Sequence, residues 1–331
     1  MTPRPRPRPL ARLRPVRPLR PLAGRCPRGA VTAALALVAA SVMLLHRWIP
    51  GGAWAGHARS LVQTFLPWTG LAVPVLLAVA LLRRSRLASA AVVLPALVWG
   101  LLYGPALAGG GGPGGPAELT VITHNVDDAN PDPAGTARAV AASGAQLIAL
   151  EELTQPATGA YKRTLGASHP YHAVRGTVGL WSTFPLREVH AEPVVPWRLV
   201  LRATADTPHG PVTVYVAHLP SVRLGAAGFT TGRRDTAAHA LAAVLRAGPG
   251  GPALLLGDFN GTTDDTALAG VTDRFTSART APGAGFGFSW PAAFPVARID
   301  QILVRDLTPV SARTLPRTGS DHLPIAASLR F

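Results

Sequence analysis

The stretch LLLGDFNGTTDD, residues 254–265, decides the fold. Three consecutive leucines read as a buried strand. At its mouth the chain places Asp258, Phe259 and Asn260 between two glycines. A carboxylate and an amide at the end of an apolar strand recur elsewhere in the chain, and the recurrence carries the argument.

Six runs read as strands: LTVITHNV (119–126), AQLIALEEL (145–153), VTVYVAHL (212–219), PALLLG (252–257), RIDQILV (298–304) and IAASLRF (325–331). Helical patterns fall near 134–143 and 233–246. Strands alternating with helices predict an α/β domain over 118–331. Polar groups sit at or just beyond the last apolar position of several strands: Asn125, Glu151 and Glu152, His218, and Asp258 with Asn260. Asp300 lies inside RIDQILV, and Ser320-Asp321-His322 precede the last strand. Sites in open α/β sheets form in the crevice at strand carboxyl ends. A single such aspartate reads as a turn former or helix cap; so many groups placed alike do not.

Charge narrows the partners. The chain has 331 residues and a formal charge of +15. Residues 1–86 hold fourteen arginines and no acid, whereas 87–331 hold eighteen basic and seventeen acidic residues. The basicity therefore belongs to a tail and one short loop, which argues against nucleic acid as first-choice partner, since that wants a basic face on the folded part. Cys26 is the only cysteine, so an intrachain disulfide and a thiol metal site are excluded.

Residues 1–29, rich in Arg and Pro, cannot form a regular helix and read as a disordered basic tail. Each arginine near an anionic bilayer surface gains roughly 1 kcal/mol; a nucleic-acid arm is the other reading. Three apolar segments follow, at about 30–49, 61–82 and 87–108, and read as transmembrane helices. Pro67, Pro74 and Pro95 are tolerable there. A cleaved signal peptide accounts for the first segment alone; a hairpin within a soluble core is the alternative for the other two. Nine arginines in the tail and Arg83, Arg84 and Arg86 in a short loop place both on the cytoplasmic side. Three spans then put everything after residue 108 outside the cell. Residues 109–117 read as a Gly/Pro linker.

The strand-end groups form one chemistry. Glu152, Asp321 and the Asn125 amide are hard oxygen ligands suited to Mg²⁺, or to Mn²⁺. His218 and His322 can donate to phosphoryl oxygens or move a proton. Asp300 is a natural partner to orient an imidazole. Asp258 can orient or deprotonate water, and Asn260 can donate to a developing oxyanion. Together they suit metal-assisted attack of water on phosphorus.

The motifs THNV (123–126), ALEEL (149–153), AHLP (217–220), GDFN (257–260), RIDQILV (298–304) and SDHLPI (320–325) resemble, in order, those of the endonuclease/exonuclease/phosphatase superfamily. The resemblance implies a four-layer α/β sandwich of two mixed sheets flanked by helices. It also implies Glu152 and Asn125 at the metal with Asp321, and His218 at the phosphate. Asp258 and Asn260 would handle water and transition-state charge, with Asp300 orienting His322; whether Asp258 or His322 takes the water proton stays open. Gln146 and Glu151 depart from the family's Asp and Gln, and Glu151 either alters metal affinity or faces away. The tail, the spans and an external domain of this type together resemble VanJ-type proteins of actinomycetes, associated with teicoplanin resistance. That resemblance implies a phosphatase acting on undecaprenyl pyrophosphate, a lipid-linked substrate in the bilayer that holds the enzyme. An external phosphodiesterase of the nuclease or sphingomyelinase kind and a catalytically dead envelope module are the competing readings.

Secondary candidates surround the site. SVRLGAAGFTTGRRD (221–235) reads either as a mobile loop in which Arg233 and Arg234 pair with phosphate and Phe229 dips toward lipid, or equally as a solvated loop with the arginines at the start of a helix. His172 and Arg175 lie near a strand and read first as surface or strand-edge packing, with Arg175 a further phosphate candidate. Asp127 and Asp128 read equally as turn formers and as added metal charge. Trp181, Trp290 and Phe294 read as core.

Overall fold

The computed structural model describes residues 28–52, 57–108, 116–196, 198–225, 228–281 and 283–331. The tail expected over 1–29 and the linker expected over 109–117 lie mostly outside the described residues. Four helices come first: α1 (Ala30–Leu45), α2 (Ala58–Thr64), α3 (Ala72–Leu82) and α4 (Arg86–Leu107). Then follow β1 (Leu119–Asn125), α5 (Pro133–Ala141), β2 (Leu147–Glu151), α6 (Gln155–Leu165), β3 (Tyr171–Arg175), β4 (Val178–Ser182), β5 (Leu186–Val195), β6 (Arg198–Thr207) and β7 (Gly210–His218). The remainder is β8 (Arg223–Gly225), β9 (Gly228–Thr230), α7 (Gly232–Ala247), β10 (Ala253–Asp258), β11 (Thr276–Ser277), β12 (Asp300–Arg305), β13 (Thr308–Thr314) and β14 (Ile325–Arg330).

The strands form two six-stranded sheets, ordered β13-β14-β1-β2-β4-β3 and β11-β12-β10-β7-β6-β5. Each is mixed: β1 runs parallel to β2 and β10 parallel to β7, while the other pairings are antiparallel. Side-chain alternation explains the leucine run. Leu254 and Leu256 face the other sheet and share one core cluster with its Val121 and Leu147 and with Val214 and Ile302 of their own sheet. Leu255 points outward against α7 and packs with Leu241 and Leu245. A strand buried on both faces needs no polar alternation. The first sheet is covered in the same way, with Ile122, Ile148 and Trp181 packed on α5 and α6. The result is an α/β sandwich of two mixed sheets flanked by helices.

Ladder register brings the strand ends together. Asn125 pairs with Glu151 in β1–β2. Asp258 pairs with His218 on one side and Asp300 on the other. β14 runs antiparallel to β1 and begins opposite Thr123, so the preceding 320–322 loop arrives at the same end. Gly257 makes the central approach possible. Its φ is +145°, and a Cβ there would lie 1.8 Å from the Ala217 carbonyl oxygen. Only glycine fits the first position of GDFN.

Two of the N-terminal helices are long and apolar enough to cross a membrane: α1 with the 3-10 turn that follows it, ending at Trp48, and α4. The expected second span at 61–82 is not one straight helix. α2 and the segment Leu66–Leu82 meet at a bend of 72°, and a third span exists only if they are taken together. Pro67, in the 3-10 stretch after α2, has no backbone N–H to continue the helical ladder. The polar side chains of α2 also have partners elsewhere. Ser60 Oγ donates to Asp265 Oδ2 (2.5 Å), and Gln63 Oε1 accepts from the Thr266 amide (3.0 Å). α2 thus rests on the loop after β10. Farther along, Trp68 stacks on Phe288 with centroids 5.4 Å apart, and its Nε1 donates to the Val296 carbonyl.

Candidate active site

Asp258 is the centre of the constellation. It is buried, and its Oδ1 accepts from the Asn260 backbone N–H (2.8 Å). Its Oδ2 accepts from Asn125 Nδ2 (3.0 Å) and Asn260 Nδ2 (3.2 Å). Burial, aided by the neighbouring Asp300 carboxylate, pushes the Asp258 carboxyl up to about 7. The asparagine donors oppose this rise.

Two histidines face the same Asp258 oxygen, His218 Nε2 at 3.8 Å and His322 Nε2 at 3.9 Å. These gaps exceed a direct hydrogen bond and suit an oxygen atom bridging both sides. Partner chemistry fixes both tautomers. His322 Nδ1 lies 2.9 Å from Asp300 Oδ2, and a carboxylate only accepts, so Nδ1 carries a proton. Burial disfavours the imidazolium, but Asp300 outweighs it and raises His322 to about 10. Asp300 itself also accepts from Ser289 Oγ at 2.5 Å. On the other side, Arg198 Nη1 lies 3.3 Å from His218 Nδ1. A guanidinium only donates, so Nδ1 is the acceptor and the proton sits on Nε2. Burial, with Arg198 adding to it, holds His218 neutral and lowers it to about 3. Its Nε2–H is therefore a neutral donor aimed between Glu152 Oε1 (3.5 Å) and Asp258.

Backbone strain marks the same place. Asp127, Glu152 and Asn260 have φ of 62°, 59° and 47°. The left-handed region is unusual for side-chain-bearing residues, Glu above all, and such residues gather at functional sites. Each of the three follows a strand end and turns its side chain toward the shared cavity, whose lining includes all three together with Asp258, Asp321 and His322.

Two groups of metal-competent side chains occur among the described residues. Asp127, Asp128 and Glu152 offer carboxylate oxygens within 4.8 Å of one another at the surface of the cleft. Asp258, Asp300 and His322 do so in the interior, where Asp300 Oδ2 and His322 Nδ1 bond each other and the asparagine amides hold Asp258, while Asp300 Oδ1 is buried without a hydrogen-bond partner. The first set is all hard oxygen and fits a divalent cation of the Mg²⁺ type. The residues that would hold it are Glu152 with Asp127 and Asp128. Asn125 Oδ1 accepts from the Asp127 amide (3.0 Å) and keeps a second lone pair. Asp321 lines the same cavity, with Oδ2 accepting from Trp290 Nε1 (3.2 Å) and Oδ1 3.8 Å from His322 Nε2.

Other expectations fare differently. Both amide hydrogens of Asn260 are engaged, one by Asp258 and one by the Leu219 carbonyl (3.0 Å), so this side chain orients Asp258 and does not face an oxyanion. Arg234, expected on phosphate, is 1% exposed. Its guanidinium bonds Asp265, Asp235, Ser60 Oγ and the Asn260 carbonyl, leaving no face for substrate. Arg233 and Arg175 line separate clefts, each shared with Arg198. Glu151 does not line the cleft: it is buried behind it, accepts from Thr123 Oγ1 (2.8 Å), and burial raises its carboxyl well above the usual range. His172 stacks on the buried Trp181. Trp290 and Phe294, read as core, are 37% and 72% exposed, whereas Trp181 is core. The 221–235 segment holds a small hairpin, β8–β9, before α7.

Arg198 is the residue that sequence reasoning missed. It stands alone in VVPWRLV, at the start of a strand, with no motif around it. Replacing it with Met is expected to lower turnover about 10–100-fold, the usual effect of losing a group that orients a site histidine or ligand. A rate within twofold of wild type, with unchanged circular dichroism, would show that His218 orients itself.

A model of the endonuclease/exonuclease/phosphatase family matches residues 122–322. The chain belongs to that family. Among solved structures, it is similar to D. rerio TDP2 complexed with a single-strand DNA product, at 17% identity and TM-score 0.54, over 64% of this chain and 99% of that one. It is also similar to a beta toxin from Staphylococcus aureus (12% identity, TM-score 0.51, covering 63% and 99%). A family member from Bacteroides vulgatus aligns at 15% identity and TM-score 0.53, covering 64% and 98%. Identities this low carry the fold alone. No curated protein sequence matches the chain.

Proposed function

We propose that the protein is a membrane-anchored phosphoric ester or anhydride hydrolase. In this reading it uses Mg²⁺ or Mn²⁺ and removes phosphate from undecaprenyl pyrophosphate outside the cell, which would link it to teicoplanin resistance. The observation that carries the hydrolase reading is the convergence of Glu152, His218, Asp258 and the Asp300–His322 pair on one cleft. A divalent cation bound there would supply charge neutralisation at the phosphate. The protein's own groups do the rest. His218 Nε2–H donates to a phosphoryl oxygen, and Asp258 takes the proton of an attacking water that it flanks together with His322. Asp300 holds the His322 ring, and both asparagine amides hold Asp258.

Support for a lipid-linked substrate comes from the apolar N-terminal segment, whose Trp68 and, from α4, Trp99 and Tyr103 pack on Phe288 and Phe286 of the loop before β12. An enzyme tethered in the bilayer meets a bilayer substrate at raised effective concentration. The near-neutral balance of residues 87–331 does not favour DNA, although one structural neighbour holds a DNA product.

Full-length protein in detergent is expected to release phosphate from undecaprenyl pyrophosphate with Mg²⁺, to stop in EDTA, and to recover when Mg²⁺ is restored. Cleavage of DNA or of phosphocholine lipids without phosphate release from the pyrophosphate would replace this reading with a phosphodiesterase.

A further inference from the structure

The cleft that holds Asp258 and His322 has a second, apolar wall. Leu61, Phe65, Val222, Phe229, Trp290 and Ile299 line the same cavity, whose volume is ≈ 470 Å³. That volume lies in the range of sites that enclose a ligand. Leu61 and Phe65 do not come from the sandwich. They belong to α2 and the residue after it, in the segment between apolar helices.

We infer that this apolar wall is a subsite for the hydrocarbon chain next to the substrate's phosphate, and that the membrane segment supplies part of it. The inference rests on the hydrolase reading for the identity of the phosphate group. Three observations carry it.

The first is continuity: Glu152, Asp258 and His322 line the same cavity as Leu61 and Phe65. A small water-soluble phosphoester would fill the polar half and leave the other half wet, whereas an alkyl or prenyl chain buries it. The second is that α2 is held in place by a built polar seam. Arg234 bonds Ser60 Oγ (3.0 Å) and Asp265 (2.7 Å), Thr262 donates to the Gln63 carbonyl, and His57 meets Thr231. The same guanidinium bonds the Asn260 carbonyl, so the apolar wall and the GDFN turn share one anchor. The third is the contrast with the neighbouring cavity. Glu152 also borders a larger space of ≈ 820 Å³ on the His218 side, where Lys162, Arg198, Thr158 and Gln155 join Asp128, Leu153 and Val174 in the lining. Polar and cationic groups there suit the charged end of the substrate, and the apolar groups on the α2 side suit its chain.

The test separates this inference from the reading it rests on. Full-length protein in lipid nanodiscs is exposed to dodecyl phosphate carrying a diazirine close to the phosphate, irradiated, digested and mapped by mass spectrometry. Adducts on the peptides containing Leu61–Phe65 or Val222–Phe229, competed away by unlabelled dodecyl phosphate, are the expected result. Adducts confined to α1, α3 and α4 overturn the inference, even if phosphate release from undecaprenyl pyrophosphate is normal. Adducts on α2 without any phosphate release uphold the subsite and overturn the hydrolase reading instead. A second readout is chain-length preference. The ratio of kcat/KM for undecaprenyl over dimethylallyl pyrophosphate is expected to fall at least tenfold in Phe65→Ser, and an unchanged ratio overturns the inference.

Discussion

Full-length protein carrying Asp258→Ala is expected to lose turnover by at least about 10²–10⁴-fold, the span a positioned proton acceptor contributes. The size of the loss follows from how many groups face that carboxylate. Both histidines and both asparagine amides are aimed at it. Burial and Asp300 lift its proton affinity toward neutrality, where a general base is most useful. His322→Ala is expected to fall into the same range, because it removes the other flank of the water site and strands Asp300. Asp300→Asn should cost less, since the imidazole remains but its orientation and charge are no longer enforced. Phosphate release and far-ultraviolet circular dichroism on the same preparations check this. A wild-type rate for Asp258→Ala in a folded protein would remove that residue from the chemistry.

The second large effect concerns Arg234. Its guanidinium and the Asp265 carboxylate are both inside the protein, at 0% and 2% side-chain exposure. Removing one partner of a buried ion pair leaves the other uncompensated, a loss of about 3–5 kcal/mol. Arg234→Met should therefore loosen α2 from the sandwich. Limited proteolysis is expected to open the chain between α2 and α3, with a lowered midpoint of thermal inactivation. The double variant Arg234→Met with Asp265→Asn removes both charges and keeps the side-chain acceptor that caps the Ala267 amide. It should regain most of the lost stability. Equal fragility of the single and double variants would mean that the ion pair is not what fixes α2. Activity should fall with the single variant as well, because the Asn260 carbonyl loses its donor.

What the sequence revealed divides by physical cause. The six apolar runs became β1, β2, β7, β10, β12 and β14, and the two helical patterns became α5 and α7, each within a few residues. These are central elements buried on at least one face, so hydrophobic pattern dictates them. β5 and β6 went unread because they carry charge: LREVHAEPVV pairs along the sheet edge, and Arg202 and Glu192 meet across the ladder. α6, QPATGAYKRTL, has one polar face and too few apolar residues to stand out before Tyr161 and Leu165 are seen buried.

At the site, motif order revealed which groups converge but not the jobs of every one. Arg234 looked like a phosphate ligand because exposure cannot be read from RRD; only the fold shows Asp265 and Ser60 closing over it. Asn260 looked like an oxyanion donor until both its hydrogens were accounted for. Arg198 carried no signal, since its role depends on β6 lying beside β7. The part played by α2 was hidden for another reason. Hydropathy treats 61–82 as one span, whereas the bend and the polar partners of Ser60 and Gln63 divert its start to the site.

The central claim is that carboxylates from separate strands gather one divalent ion beside the phosphorus. Electron–nuclear double resonance on Mn²⁺-loaded full-length protein with inorganic phosphate tests it without any turnover. One saturable Mn²⁺ per chain with a ³¹P coupling, weakened about 10–100-fold in affinity by Glu152→Gln, is the predicted result. Mn²⁺ binding that ignores Glu152→Gln, or a bound ion with no phosphorus beside it, would contradict the account.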